Sequence, residues 1–280
     1  MPVKITDYRT KFVETLTPIY DKLEAESFFY LILEDLRGLK RIDLALNPDN
    51  EITEIEKWGH LLEALKNEVP VQYLLGKTTF YGLTFEVNEN VLIPRQETEE
   101  LVDWIVSDHK DQNTKILDIG TGSGCIAISL AKSFTDAKVS AIDVSEKALA
   151  IAEKNAEINQ VEVNFLSKNI LTTDDLEERY DIIVSNPPYV RELEKDEIRK
   201  NVLAYEPHLA LFVADDDALV FYRKIATLAL KSLHPEGKLY FEINQYLGKE
   251  MLQLLESMGF KDIQLRKDIY GNDRMVKATI

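Results

Sequence analysis

Lys115-Ile116-Leu117-Asp118-Ile119 runs straight into Gly120-Thr121-Gly122-Ser123-Gly124, and the glycines give way to Cys125-Ile126-Ala127-Ile128-Ser129-Leu130-Ala131. A short apolar segment, a glycine loop and a helical apolar run read as strand, loop and helix, the opening unit of an α/β sheet. Glycines permit positive φ and close backbone approach, so a nucleotide-like ligand can lie against the loop and the helix N-terminus. The next strand, Lys138-Val139-Ser140-Ala141-Ile142, ends in Asp143. That acid lies about twenty residues past the glycines, the spacing at which dinucleotide folds place a carboxylate on ribose hydroxyls. Two plainer roles stay open: a tight strand-to-helix turn for the glycines, and for Asp143 an N-cap of a helix over Ser145 to Asn159. Gly122-Ser123-Gly124-Cys125-Ile126-Ala127 also fits the G-x-G-x-x-A pattern of dinucleotide enzymes.

Farther on, Tyr180-Asp181-Ile182-Ile183-Val184-Ser185 reads as a buried parallel strand, which delivers Asn186-Pro187-Pro188-Tyr189 to the sheet's carboxyl edge. Open α/β sheets bind ligands there. Two prolines fix φ twice and remove two donors, leaving carbonyls that can only accept hydrogen bonds. The set suits a planar NH2 group: the Asn186 oxygen and the Pro187 carbonyl each accept one hydrogen, while Tyr189 stacks on the plane behind it. A strand-terminating turn is the alternative reading.

A nicotinamide enzyme has no use for an amide-binding tetrapeptide, whereas a methyl donor with a ribose, an adenine and a methionine tail accounts for both segments. At this point the chain resembles the class I S-adenosylmethionine-dependent methyltransferases that modify planar amino nitrogens. The resemblance implies S-adenosyl-L-methionine as cofactor, met by Gly120, Thr121, Gly122, Ser123, Gly124, Asp143, Asn169 and Asn186. It implies Asn186, Pro187 and Tyr189 as catalytic residues, Asn186, Pro187, Pro188 and Tyr189 as substrate-binding residues, and no metal. Two families of this class carry the tetrapeptide, the N6-adenine or N4-cytosine DNA methyltransferases and the protein glutamine-N5 methyltransferases. With 49 acidic against 33 basic residues, a formal charge of −16 disfavours DNA, because duplex binding draws on basic surface and counterion release. The same acidity also serves solubility.

More specific are Val71-Gln72-Tyr73-Leu74-Leu75-Gly76, Phe80-Tyr81-Gly82-Leu83-Thr84-Phe85-Glu86-Val87-Asn88 and Val91-Leu92-Ile93-Pro94-Arg95-Gln96-Glu97-Thr98-Glu99-Glu100-Leu101-Val102. These segments are similar to the bacterial methyltransferases of peptide chain release factors, which modify the glutamine of a Gly-Gly-Gln motif. Glu206-Pro207, Leu209-Ala210-Leu211, Phe221-Tyr222, Glu242-Ile243 with Gln245, and Asp268 with Gly271, Asp273 and Arg274 extend the match over nearly the whole chain. Two positions depart from it: Gln96 stands where the family usually has proline, and Lys168-Asn169 where it often has an acid followed by an aromatic or aliphatic residue. The resemblance implies glutamine-N5 methyl transfer to class I release factors. Glutamine methylation of a ribosomal protein is the close alternative; adenine-N6 nucleic-acid methylation, NAD-dependent oxidoreduction and a non-catalytic adaptor are the distant ones.

A chain of 280 residues allows about two domains. Helical periodicity from Ile5 to Lys66 (Phe12, Leu16, Ile19, Tyr20, Leu23; Phe28, Phe29, Leu31, Ile32, Leu36; Ile55, Trp58, Leu61, Leu62, Leu65), broken at Pro18, Gly38 and Asn47-Pro48, predicts a helical bundle. The expected division is a helical substrate-recognition domain over 1–75, a hairpin linker over 76–95 turning at Gly82, and a catalytic domain over 96–280. The last is expected to be α/β, a Rossmann-like sheet, mostly parallel, whose last strand is antiparallel. Strands are expected at Lys238 to Ile243, Ile263 to Arg266 and Met275 to Ile280, the last two as a hairpin. A helix over Glu97 to Asp108 opens on acids that suit its N-terminus, and Arg95 before it is either a ligand contact or an internal ion-pair partner. The single cysteine, Cys125, reads as a buried small hydrophobe, and the four histidines show no metal-ligand spacing. Without a signal peptide or an apolar run of about eighteen residues, the expectation is a cytoplasmic monomer with no nucleic-acid or membrane partner.

Overall fold

The computed structural model describes residues 3–280. The chain divides into two compact units, Met1–Gly76 with Lys200–Tyr205, and Lys77–Arg199 with Glu206–Ile280. In the first, β1 (Val3–Lys4) leads to α1 (Ile5–Leu16), α2 (Lys22–Arg37), α3 (Arg41–Leu46), β2 (Glu51–Ile52), α4 (Ile55–Lys66) and α5 (Val71–Leu75). Apolar residues at helical spacing turn Phe12, Leu16, Phe29 and Ile32 onto the buried Trp58 of α4. Phe12 and Trp58 meet edge to face with centroids 6.1 Å apart. Asp21 caps α2 by accepting from the Glu24 N–H, and Gly38, in the left-handed region, closes it. Ile19, Leu23 and Leu31 of the same periodic set are exposed; Ile19 falls between α1 and α2 and Leu23 in the first turn of α2. The antiparallel pairing of β1 with β2 left no trace in the pattern, because two residues a side are too few for alternation to show.

The second unit begins with a hairpin, β3 (Lys77–Phe80) and β4 (Leu83–Glu86). Tyr81 and Gly82 both adopt positive φ at its two-residue turn, the backbone such turns require. This hairpin packs within the second unit: Phe80 and Phe85 share one apolar cluster with Leu101, Val102 and Trp104. Then follow α6 (Gln96–Asp108), β5 (Lys115–Ile119), α7 (Cys125–Ser133), β6 (Lys138–Asp143), α8 (Glu146–Asn159), β7 (Asn164–Ser167), β8 (Tyr180–Ser185), β9 (Val190–Arg191), α9 (Lys200–Tyr205, which belongs to the first unit), β10 (Phe212–Val213), α10 (Val220–Ser232), β11 (Leu233–Glu242), α11 (Gly248–Ser257), β12 (Lys261–Lys267) and β13 (Asp273–Thr279).

Seven strands form one sheet in the order β12-β13-β11-β8-β5-β6-β7. It is parallel except for β13, which runs antiparallel to both β11 and β12. Alternating side chains supply two cores. Ile116, Ile182, Val184 and Tyr240 face α6 and α7, while Leu117, Ile183 and Phe241 face α10 and α11. β11 starts at Leu233, earlier than expected, because Leu233 pairs with Tyr180 before the register breaks. Pro235 and the positive φ of Glu236 lie in that break, so the sequence there reads as a turn. The chain moves outward from β5 to β6 and β7, then returns to β8 on the other side of β5. Strand order therefore reverses between β5 and β8, which opens a crevice at their carboxyl ends. No helix among the described residues is long and apolar enough to cross a membrane.

Candidate active site

That crevice is an open cavity walled by the ends of β5, β6 and β8, the Val91–Thr98 segment, and Pro207, Leu209, Ala210 and Phe221. Of the sequence-predicted residues, Gly120, Thr121, Gly122, Ser123, Asp143, Asn169, Asn186, Pro187 and Pro188 line it. Gly124 and Tyr189 stand behind the wall. Gly124 has φ +81°, and a Cβ there would meet Ile128 Cδ1 at 2.8 Å and Ala152 Cβ at 3.1 Å. Close packing of α7 on α8 demands this glycine. Gly120 and Gly122 also have positive φ, but added Cβ atoms would meet nothing within 4 Å. Their backbone faces open space.

The loop is tied down from below. The Gly120 and Thr121 amides both donate to the Ile142 carbonyl, at 2.8 and 3.0 Å. Thr121 Oγ1 donates to Asp118 Oδ2 at 2.6 Å, and Asp118 Oδ1 is buried with no hydrogen-bond partner among the described residues. Burial raises the Asp118 carboxyl to about 7. Asp143 accepts the Gly122 N–H on one oxygen at 2.8 Å and the Ser145 N–H on the other at 2.9 Å. Ser145, not Asp143, caps α8, accepting from the Ala148 N–H. Each Asp143 oxygen keeps a lone pair for a ligand in the cavity it lines. Asn169 is exposed at the rim, its Oδ1 accepting the Leu171 N–H, while Lys168 pairs with Glu177. Cys125 also lines the wall, with burial pushing its thiol up to about 12, which leaves it an inert apolar surface.

At the end of β8, Asn186 Nδ2 donates to Thr98 Oγ1 at 3.3 Å, and Thr98 donates to Glu242 Oε2 at 2.6 Å. No protein donor reaches Asn186 Oδ1 among the described residues. The Tyr189 hydroxyl donates to Glu242 Oε1 at 3.1 Å, and its ring packs against the core behind the wall. Tyr189 is not a lining residue of the cavity, and its hydroxyl satisfies a buried carboxylate. Burial raises the pKa of both Glu242 and Tyr189. Arg95 resolves as an ion-pair partner that also lines the cavity: its guanidinium donates to Glu206 Oε1 at 2.6 Å, and Glu206 Oε2 accepts the Ile93 N–H. Thr98 and Glu242 had no role in the sequence reading beyond the family match. Glu242 carried a signal nonetheless, a carboxylate closing the apolar run Leu239-Tyr240-Phe241, since a buried charge must be met by donors.

A family description, "Methyltransferase small domain", matches residues 97–209, and another, "PrmC N-terminal domain", matches residues 10–76. The chain is 61% identical to the release factor glutamine methyltransferase of Flavobacterium psychrophilum, over 98% of each chain. It is 46% identical to that of Bacteroides thetaiotaomicron, over 95% of this chain and 96% of the relative. Among solved structures, a methyltransferase from Pyrococcus furiosus superposes with a TM-score of 0.54 at 19% identity, covering 77% of this chain and 98% of that one. The 16S rRNA N2 G1207 methyltransferase of T. thermophilus, solved with AdoMet and guanosine, gives 0.52 at 19% identity over 72% and 49%. Those two likenesses speak to the fold of the sheet alone.

Proposed function

The chain belongs to the release factor glutamine methyltransferases, S-adenosylmethionine-dependent enzymes, and on that premise we propose that it methylates N5 of the glutamine in the Gly-Gly-Gln motif of class I release factors. One observation carries the acceptor assignment: Asn186 commits its NH2 to Thr98 and keeps a free oxygen beside Pro187 in the cavity wall. A side-chain amide nitrogen is a poor nucleophile, its lone pair being delocalised into the carbonyl. The Asn186 oxygen and the Pro187 carbonyl are read as accepting its two hydrogens, holding the nitrogen in line and countering positive charge as it develops. Neither acceptor has to reorganise, since Thr98 holds one and the Pro-Pro backbone the other.

S-adenosylmethionine, when bound, supplies a methyl group on a sulfonium centre. The residues present suit it. Gly120 and Gly122 leave their backbone open to the methionine tail and ribose, and Asp143 has lone pairs for two ribose hydroxyls. Asn169 at the rim is the reading's adenine-side residue. Residues 1–75 are read as the platform that recognises the protein substrate. The acceptor is a protein and not a nucleic acid on this reading, and the enzyme works as a monomer in the cytoplasm, beside the translation machinery.

The test offers labelled S-adenosylmethionine with equal amounts of release factor, ribosomal protein and duplex DNA. Label is expected on the release factor alone and absent when its Gly-Gly-Gln glutamine is replaced by alanine. A glutamine between two glycines enters a narrow cavity without clash, and the acidic chain disfavours DNA. Label on the ribosomal protein or the DNA alone overturns the substrate assignment.

A further inference from the structure

The Asn186 side chain ends a buried hydrogen-bond relay whose direction is set from its far end. Glu242 at the end of β11 is 1% exposed, and Thr98 on α6 is 2% exposed. Against burial, two hydroxyl donors, Thr98 and Tyr189, and the charge of Arg274 favour the ionised form of Glu242, and a carboxylate has no hydrogen to give. Thr98 therefore spends its one hydroxyl hydrogen on Glu242 Oε2 at 2.6 Å, and Tyr189 gives its own to Oε1 at 3.1 Å. On its other side Thr98 Oγ1 presents only lone pairs, so the group that meets it must donate. That group is Asn186 Nδ2, at 3.3 Å. A flipped amide would set its oxygen against the Thr98 lone pairs, two acceptors face to face, and would turn its NH2 to the cavity.

We propose that Glu242 is a positioning residue which acts through Thr98 to fix the polarity of the Asn186 amide, so that the cavity meets an acceptor and never a donor. The proposal rests on the reading of Asn186 as the group that receives the substrate NH2. Asparagine is nearly symmetric in shape, so its backbone cannot choose between the two orientations; the choice must come from a neighbour of fixed polarity. A hydroxyl alone cannot supply that, because it turns to donate or accept as required. The carboxylate behind it can. Its position also argues for a role besides packing: Phe241 and Ile243 on either side are fully buried, and an apolar residue between them would avoid the cost of desolvating a charge.

Three variants separate polarity from packing. Glu242→Gln keeps the shape but can donate to Thr98, which frees the Thr98 hydroxyl to donate to Asn186 and invites the flip. Thr98→Val keeps the volume and deletes the relay, whereas Thr98→Ser keeps the hydroxyl. Glu242→Gln and Thr98→Val are expected to lower kcat by about a hundred-fold, the scale of losing one preorganised polar contact, with S-adenosylmethionine affinity by calorimetry altered no more than a few-fold. Thr98→Ser should restore kcat to within a few-fold of the parent. In the substrate-free protein, labelled at asparagine side chains, the Asn186 NH2 should show a nuclear Overhauser contact to the Thr98 methyl that Glu242→Gln abolishes. An undiminished kcat in Thr98→Val, a Thr98→Ser as slow as Thr98→Val, or an unchanged contact in Glu242→Gln overturns the proposal. Were the parent protein to leave the Gly-Gly-Gln glutamine unlabelled, the substrate reading alone would fall, and the resonance experiment would still decide the relay by itself.

Discussion

Asn186 and Asp143 both face the cavity, yet their losses should read out differently. An amide oxygen that meets the substrate as charge develops acts mainly on the transition state. Asn186→Ala is therefore expected to lower methyl transfer by about two orders of magnitude while cofactor affinity stays within a few-fold. A carboxylate that takes ribose hydroxyls holds the ground state and the transition state alike, so Asp143→Ala should raise the cofactor KM and spare turnover at saturation. Calorimetry beside steady-state kinetics checks the pair, and a swapped pattern would reverse the assignments. Asp118 makes a separate statement about pH. Its folded value of about 7 lies above the ordinary 3.8 because burial disfavours the charged form, so the stability it contributes is full below about 4 and is lost as pH rises through about 7. The loss amounts to at most about 4 kcal/mol at high pH. Denaturant melts from pH 5 to 9 should show that decline in the parent and a flatter profile in Asp118→Asn; equal slopes would mean that the carboxyl is ionised throughout. At this scale the sequence was legible where the backbone itself sets the geometry, as in the prolines of the cavity wall and the open glycines. It was not legible where a contact depends on a partner distant in the chain, as in the hydrogen bonds of Thr98 and Tyr189 to Glu242.

The elements around the cavity are tied by side chains that do no chemistry. Asn155 of α8 accepts the Glu86 N–H and donates to the Glu86 and Ser123 carbonyls, and Asn159 one turn on donates to the Thr84 carbonyl. Through these bonds one helix carries both the hairpin and the glycine loop. Helix α7 meets α8 at Gly124 with no room for a methyl group. Gly124→Ala combines a left-handed backbone, worth about 1–2 kcal/mol for any other residue, with a clash against packed side chains. It should lower the unfolding free energy by at least about 2 kcal/mol and weaken cofactor affinity indirectly, by shifting the loop. A thermal melt checks this, and an unchanged Tm would mean that the helices part at little cost. Periodicity made the strands and helices readable, since each strand alternates between two cores. Pairing was harder to read. The hairpin's turn was plain in Tyr81-Gly82, but alternation says nothing about which core its phenylalanines join, and the early start of β11 was hidden by a proline and a positive φ.

On the scale of the whole molecule, the helical unit and the sheet unit each have an apolar core of their own, and composition with periodicity was enough to anticipate both. What no local pattern could announce is that α9 belongs with the first unit. There the Tyr205 hydroxyl donates to the Asn67 carbonyl at 2.8 Å, a pairing that only the fold brings together. Domains of a growing chain generally fold in the order in which they emerge from the ribosome. This amino-terminal unit cannot follow that rule to completion, because one of its helices is translated after most of the sheet's strands. The order of synthesis and the order of assembly are therefore interleaved: a unit begun ahead of the sheet is completed only by a helix made after several of the sheet's strands, and a ribosome that stalls before Lys200 leaves it short of a helix.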